Sequence, residues 1–573
     1  MRFAYILLFS IFAVAGMKAD NYPVFPYETS GEFKPHSRLD KIMLTEWRKL
    51  GITPAKPVSD VVFLRRIYID LTGSAPTFTE TRNFLNSKDR GKRSKLIDKL
   101  LESPDFAYYW ALKWCDILRV KSEFPINLWP NAVQAYHHWV WDSIRKNKPY
   151  DQFARELLTT SGSNFRAPPA NFFRTTQNRT PEGFAKVAVQ AFLCSRISTW
   201  PEYNRKEMEK LFSRIAIKAT DEWKEQIVYL NPEPVTEPIT AVMPDGTEIT
   251  VPVDKDPRTY FADWLINSEG SWFAEAAVNR VWFWFFGRGI IEPPDDFRLE
   301  NREKSFFTGW FGHPEQSPYA NPPSSPELLH YLADEFRKSG YDFKALCRLI
   351  ANSAVYQQSC IPTEKDYKTA EKYFAVYPIR RIDAEVLRDM FTYLSGQSPK
   401  YMSVIPEPFT FIPPELPTIA LADGSITSAF LENFGRPARD TGLLEERNNS
   451  VSYSQRLFLL NSPLIQWKIV TSHEFFNAVR LAKGKPREVI NNIYMLILSR
   501  KPTLNEVNNT LKYFKISLSP ASKAKSQNSK NHQKKGQNFK NRNNKKHLHS
   551  RYRNVAAVLA WTLVNTKEFL FRH

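Results

Sequence analysis

Apolar and aromatic residues recur three and four positions apart along most of this 573-residue chain, and that period commits it to a largely helical architecture. Behind Ser59, a candidate N-cap, Val62, Phe63, Ile67 and Leu71 fall at helical spacing. Residues 92–101 (KRSKLIDKLL) and 106–120 (FAYYWALKWCDILRV) repeat the pattern on either side of Ser103-Pro104, where proline suits a first helical turn. Thr79 and Thr81 are candidate caps of a short helix ending at Leu85. Runs at 132–145, 150–158 and 181–193 extend the region, and Ser213 to Lys218 closes it as a last helical piece. Aromatic residues make up 14% of the chain, which excludes a disordered, collagen-like or coiled-coil protein. Gly is scarce at 20 against 40 Pro, so a Gly-rich loop cradling phosphate is not expected.

Between Asn231 and Asp254 the composition turns to β-branched residues and proline, with two alternating runs around Pro244-Asp245-Gly246. That pattern predicts a hairpin and a domain boundary. The fold class is therefore mainly α, with two helical domains and a small β-hairpin element between them. The expected divisions are a signal peptide at 1–19, a first helical domain at 36–220, a β-rich linker at 221–256 and a second helical domain at 257–573. In the second, helices are expected at 260–266, 272–286, 326–338, 343–352, 383–394, 454–460, 474–481, 487–498, 507–516 and 555–571, with a Pro-rich surface loop at 406–417. Trp282, Phe283, Trp284 and Phe285 would lie all round one helix and so predict a buried helix rather than a sugar platform.

Residues 519–550 hold nine Lys or Arg and no acid, about half of the net charge of +19. Rich in Lys, Asn, Gln and Ser, this insert cannot bury enough apolar surface to order itself and is expected to be disordered. A positive start, the apolar run Phe3 to Ala15 and small residues at Gly16 and Ala19 predict export, to a periplasmic or cell-surface location, with no transmembrane span once the signal is removed. Nucleic acid is then an improbable partner, and anionic polysaccharide or another envelope protein is the expected class. The four cysteines, Cys115, Cys194, Cys347 and Cys360, form no CxxC, and their pairing stays open among three connectivities and none.

Several blocks resemble a known pair of domains. Residues 63–73 (FLRRIYIDLTG), Pro76, the KLIDKLLESPDF helix, Trp110 and Trp114 are similar to the first of two paired domains of unknown function found in exported proteins of planctomycetes and their relatives. Asn279 to Trp282, Phe285 to Ile290, PPDDFR at 293–298, Ser325 to Leu329, Ile350 to Ser353, Arg381 to Glu385, Phe434 to Pro437, Leu459 to Ser462 and the closing NTKEFL are similar to the second. The blocks cover nearly the whole mature chain. The resemblance implies export and, in many relatives, association with cytochrome-c modules; it implies no reaction. Relatives usually carry CxxCH, a haem-attachment or metal-ligand pattern, after the segment matching Gln190 to Leu193. Here Cys194 to Tyr203 reads CSRISTWPEY, so no cofactor is predicted and the chain resembles a member that has lost that site.

Two polar clusters remain as site candidates. Asp295 and Asp296 with Arg298 could supply a general acid and base or hold a cation, against a loop-capping role. Arg436, Arg439, Asp440, Glu445, Glu446 and Arg447 could clamp a carboxylate, sulfate or phosphate, or form a structural salt-bridge network. His137 and His138 project about 100° apart on a helix and cannot share one metal, so packing or a surface position is expected and no metal site is predicted. No GxSxG, HExxH, Walker or GxGxxG pattern is present. The leading function is an exported, non-redox binding or scaffold protein in polysaccharide handling; the alternative is a glycan-active hydrolase or lyase using the Asp/Arg residues.

Overall fold

Short polar side chains and prolines set where the helices begin. The computed structural model describes residues 24–573 except 233–235, 268–271, 300–319, 364, 463–468, 470, 519–552 and 554. The expected signal peptide and the basic insert lie outside the described residues. Ser103 accepts the amide of Phe106 at 3.2 Å and Pro104 takes the first turn of the Pro104–Ile117 helix, as the sequence predicts. Ser59 stands at the N-cap of the Asp60–Thr72 helix, but its hydroxyl donates to the Pro26 carbonyl at 2.6 Å and caps nothing. Neither Thr79 nor Thr81 caps the next helix. Thr77 does, because Glu80 three residues on completes a reciprocal capping box that Thr79 and Thr81 have no partner for.

The molecule is mainly α, with small antiparallel sheets. The expected hairpin is present: Ile239–Val242 pairs with Glu248–Val251, and Gly246, at φ 89°, turns the chain by donating its amide to Met243 at 2.8 Å. Ser213 to Lys218 is not helical. Ile215–Ala219 pairs antiparallel with Gln226–Leu230, and Gly162–Ser163 adds to the other edge of that second strand. Two β-branched residues alternating with alanine in IAIKA suit a half-buried strand opposite QIVYL, and this tertiary pairing overrides the weak helical pattern. Near the C-terminus, residues 555–564 are helical, Thr566 caps the Lys567–Leu570 helix, and the helical run expected to reach Phe571 stops. Phe571–Arg572 instead pairs with Arg380–Arg381.

Aromatic side chains join the segments before and after the hairpin into one continuous apolar core. Trp110 meets Trp284 edge to face at 5.6 Å and Phe343 at 5.0 Å, Trp114 meets Trp284 at 5.6 Å, and Tyr150 stacks on Phe273 at 4.9 Å. At about 25 cal/mol per Å² and about 150–250 Å² per ring, each buried aromatic contributes about 4–6 kcal/mol before ordering costs. The Trp272–Phe286 helix is buried on nearly every side, as its sequence predicts. No helix among the described residues is long and apolar enough to cross a membrane.

Candidate functional site

Two otherwise apolar helices carry charge into this core. Asp60–Thr72 buries Arg65, Arg66 and Asp70, and Pro104–Ile117 buries Lys113 and Asp116. An unpaired ion in such a place costs several kcal/mol, so each needs partners. Asp70 Oδ1 accepts from Arg572 Nη1 at 3.0 Å and Arg380 Nη2 at 3.4 Å, while the hydroxyls of Tyr356 and Tyr377 both donate to its Oδ2 at 2.9 Å. Asp383 Oδ2 accepts from Arg572 Nη2 at 2.6 Å and Tyr109 Oη at 2.9 Å, and its Oδ1 accepts from Asn449 Nδ2 at 2.9 Å. Lys113 Nζ stands 3.6 Å from Asp383, beyond hydrogen-bond reach.

A second ionic group adjoins the first. Arg447 Nη2 donates to Asp116 Oδ2 at 2.6 Å and its Nη1 to Glu385 Oε2 at 2.7 Å, a fork spanning two carboxylates. Arg439 Nε donates to Asp116 Oδ1 at 2.9 Å, and Arg436 Nε lies 3.4 Å from Glu385. Burial pushes the Asp383 carboxyl up, but Arg572, Lys113 and Arg447 outweigh it and hold the group well below the usual carboxylate range. Burial drives the Lys113 ammonium down to about 8, more than Asp383 can offset while Arg572, Arg447 and Arg380 repel it.

Where the two groups meet, a cavity of about 150 Å³ is lined by Lys113, Asp116, Arg380, Asp383, Arg447 and Asn449 on the polar side and by Phe283, Trp284, Pro437 and Leu444 on the apolar side. The side chains of Arg380, Arg447 and Asp116 are 16%, 13% and 12% exposed against 7% and 5% for Lys113 and Asp383, so the lysine and Asp383 form the deeper wall. Gly287 closes one side at φ 71°, and a Cβ there would stand 2.9 Å from Arg380 Cδ. Glycine is required both by that backbone angle and by the stem of Arg380.

The candidate residues divide between this cavity and its surroundings. Arg447 lines it. Arg439 and Arg436 stand behind it, each also donating to backbone carbonyls: Arg439 to Val120 at 3.1 Å and Ala422 at 2.6 Å, Arg436 to Asp423 at 3.0 Å and to Ile426. Asp440 accepts from Lys121 at 2.6 Å, Glu446 accepts the amides of Asp440 and Thr441 at 2.9 and 3.2 Å, and Glu445 pairs with Arg196 at 2.9 Å. Asp295 is buried against Arg280 at 3.4 Å and accepts the amide of Leu444, which brings the two polar clusters into contact; burial raises its carboxyl above the usual range although Arg280 opposes this. Asp296 is buried and pairs with Arg298 at 2.8 Å, whose side chain is 53% exposed. Neither aspartate nor Arg298 lines the cavity. His137 is buried, its imidazole pushed down to about 3 by burial, and His138 packs on Trp141. Among the described residues no three His, Cys, Asp or Glu side chains form a group that could hold a metal ion.

Sequence reasoning missed Asp70, Lys113, Asp116, Arg380, Asp383 and Arg572. The signal was a charge inside an apolar run: Asp70 in IYIDL, and Lys113 and Asp116 in WALKWCDI. Residues 38–215 match the PSCyt2 family, described as a protein of unknown function (DUF1549). Residues 257–305 and 311–514 match PSD1, also a protein of unknown function (DUF1553). The chain belongs to this paired PSCyt2–PSD1 family. Neither a curated protein nor a solved structure matches it. Within this PSCyt2–PSD1 chain the cavity is a joint construction, with Lys113 and Asp116 from the PSCyt2 stretch and Arg380, Asp383 and Arg447 from the PSD1 stretch.

Proposed function

We propose that the protein is an exported, non-redox binding or scaffold protein that handles anionic polysaccharide outside the cytoplasm. The observation that carries this reading is the cavity, where lysine, two arginines and an amide face the same space as Trp284 and Phe283. Cationic donors suit an acidic group and aromatic faces suit the apolar face of a sugar ring. The non-redox part rests on Cys194, which stands where the resemblance implies CxxCH. Its thiol is buried, donates to the Ala276 carbonyl at 3.4 Å and is pushed up to about 12 by burial, so it is neither a ready thiolate nor a ligand. Calorimetric titration of the full chain with sulfated, uronate-rich and neutral polysaccharides tests the reading. Saturable binding of the acidic polymers alone supports it; equal behaviour towards all three defeats it and turns the search to an envelope-protein partner.

A glycan-active hydrolase or lyase is the second reading, favoured by the contact of Asp295 with the amide of Leu444, where the two polar clusters meet. It would use Asp295 or Asp296 with Arg298 or the Arg436 to Arg447 cluster. Cleavage of an acidic polysaccharide that disappears in Asp296→Ala supports it, and cleavage that persists removes Asp296 from the site.

A further inference from the structure

We infer that the cavity between Lys113, Arg380 and Arg447 is a binding site for a single oxyanion such as sulfate, either free or as the acidic group of a glycan. The inference deepens the polysaccharide reading and rests on it only for the source of the anion.

Charge balance carries it. One ionic group joins Lys113, Arg380 and Arg572 to Asp70 and Asp383; the other joins Arg436, Arg439 and Arg447 to Asp116 and Glu385. Each holds three cationic side chains and two carboxylates, so each is one positive charge in excess, and at the cavity wall itself Lys113, Arg380 and Arg447 face Asp116 and Asp383. A buried surplus of cations is costly unless an anion accompanies it or a lysine gives up its proton. A donor is also left over: Lys113 Nζ lines the cavity and stands 3.6 Å from Asp383, beyond hydrogen-bond reach. A cavity of about 150 Å³ has room for a sulfate or carboxylate group.

The groups facing Lys113 are Asp383, Arg380, Arg447, Arg572, Asp116 one turn along its own helix, and the Tyr109 ring at 4.5 Å. Arginines do not titrate in the accessible range, so an anion placed here acts on the lysine, holding it charged. Binding therefore takes up a proton at and above about pH 8.

The test is isothermal titration of the full chain with sodium sulfate at constant ionic strength, repeated in buffers of different ionisation enthalpy. The expected result is one saturable site, with proton uptake above about pH 8 and affinity falling about tenfold per pH unit in that range. Lys113→Gln should weaken binding at least tenfold; should that variant not fold, the pH and buffer dependence of the wild-type protein still decides. No saturable sulfate binding, or binding indifferent to pH across this range, overturns the site. A sulfated disaccharide separates the two proposals. Binding of sulfate but not of the disaccharide keeps the anion site and defeats the carbohydrate reading. Polysaccharide binding without sulfate binding does the reverse.

Discussion

Asp295 and Lys113 are both buried charges, each beside one opposite partner, yet their surroundings do different things. Around Asp295 the charge count closes: one carboxylate faces Arg280, whose Nη1 and Nη2 also reach the carbonyls of Ala191 at 2.5 Å and Gln190 at 3.1 Å, and the second carboxylate oxygen takes the Leu444 amide. Around Lys113 it does not, since six cationic side chains face four carboxylates and open space remains between them. A buried ion matched by one opposite charge is a strut. The surplus at the cavity, rather than the mere presence of charge, is what marks a place for a ligand.

The sharpest way to break that comparison is Arg572→Ala, which strips Asp70 and Asp383 of a shared partner. It should cost about 5 kcal/mol, read as a lower urea midpoint, because two buried carboxylates lose the one guanidinium that hydrogen-bonds to both. A cost below about 1 kcal/mol would mean that the ionic group is not closed through this residue. Next in size, Asp295→Ala should cost about 3–4 kcal/mol by leaving Arg280 buried and unpaired, yet leave sulfate affinity unchanged. Loss of sulfate binding in that variant would erase the distinction between strut and site.

Stability against pH sharpens the same contrast. The folded protein holds Lys113 near 8, below its unfolded value of about 10.4, so between those values the unfolded chain binds the extra proton and stability rises with pH. Over that range the gain is about 3 kcal/mol. The Cys115 and Cys194 thiols, pushed up to about 12 by burial, act in the opposite sense there. The measurement is therefore the difference between wild type and Lys113→Met across about pH 8 to 10, where the rise should belong to the wild type alone. A parallel course for both proteins would show that the lysine is not held neutral. The smallest effect is expected at the protein surface: Arg298→Ala removes a half-exposed partner of Asp296 and should change stability by less than about 1 kcal/mol.

Most of the long helices, the 239–251 hairpin and the buried aromatic helix are legible because each is written in local periodicity and turn chemistry, whereas the helices Arg38–Leu50 and Glu202–Lys210 went unread. Strand Ile215–Ala219 was not, since its pairing with Gln226–Leu230 is a tertiary fact that five ambiguous residues do not declare. The cap at Thr77 is legible in principle, through Glu80 three positions on, a signal that Thr79 and Thr81 lack. Of the site, the sequence announced Arg447 and its neighbours as a polar cluster but not their partners. Asp116 lies 331 positions from Arg447, and nothing local links a carboxylate in one helix to a guanidinium in a distant loop. Lys113 was visible only as a polar interruption in an apolar helix, a pattern that needs burial before it acquires meaning.

The 502 positions between Asp70 and Arg572 also order events in time. At about 5–20 residues per second, a ribosome makes the second partner about 25 to 100 seconds after the first. Through that interval the segment carrying Asp70 and Lys113 has its aromatic surface but not its counter-charges, and it stays exposed to any chaperone that reads unfinished cores. The strand that carries Arg572 then acts as a latch on an assembly already largely built. Released chains ending just before and just after that strand would differ in protease resistance throughout the earlier helices, not only at the strand itself.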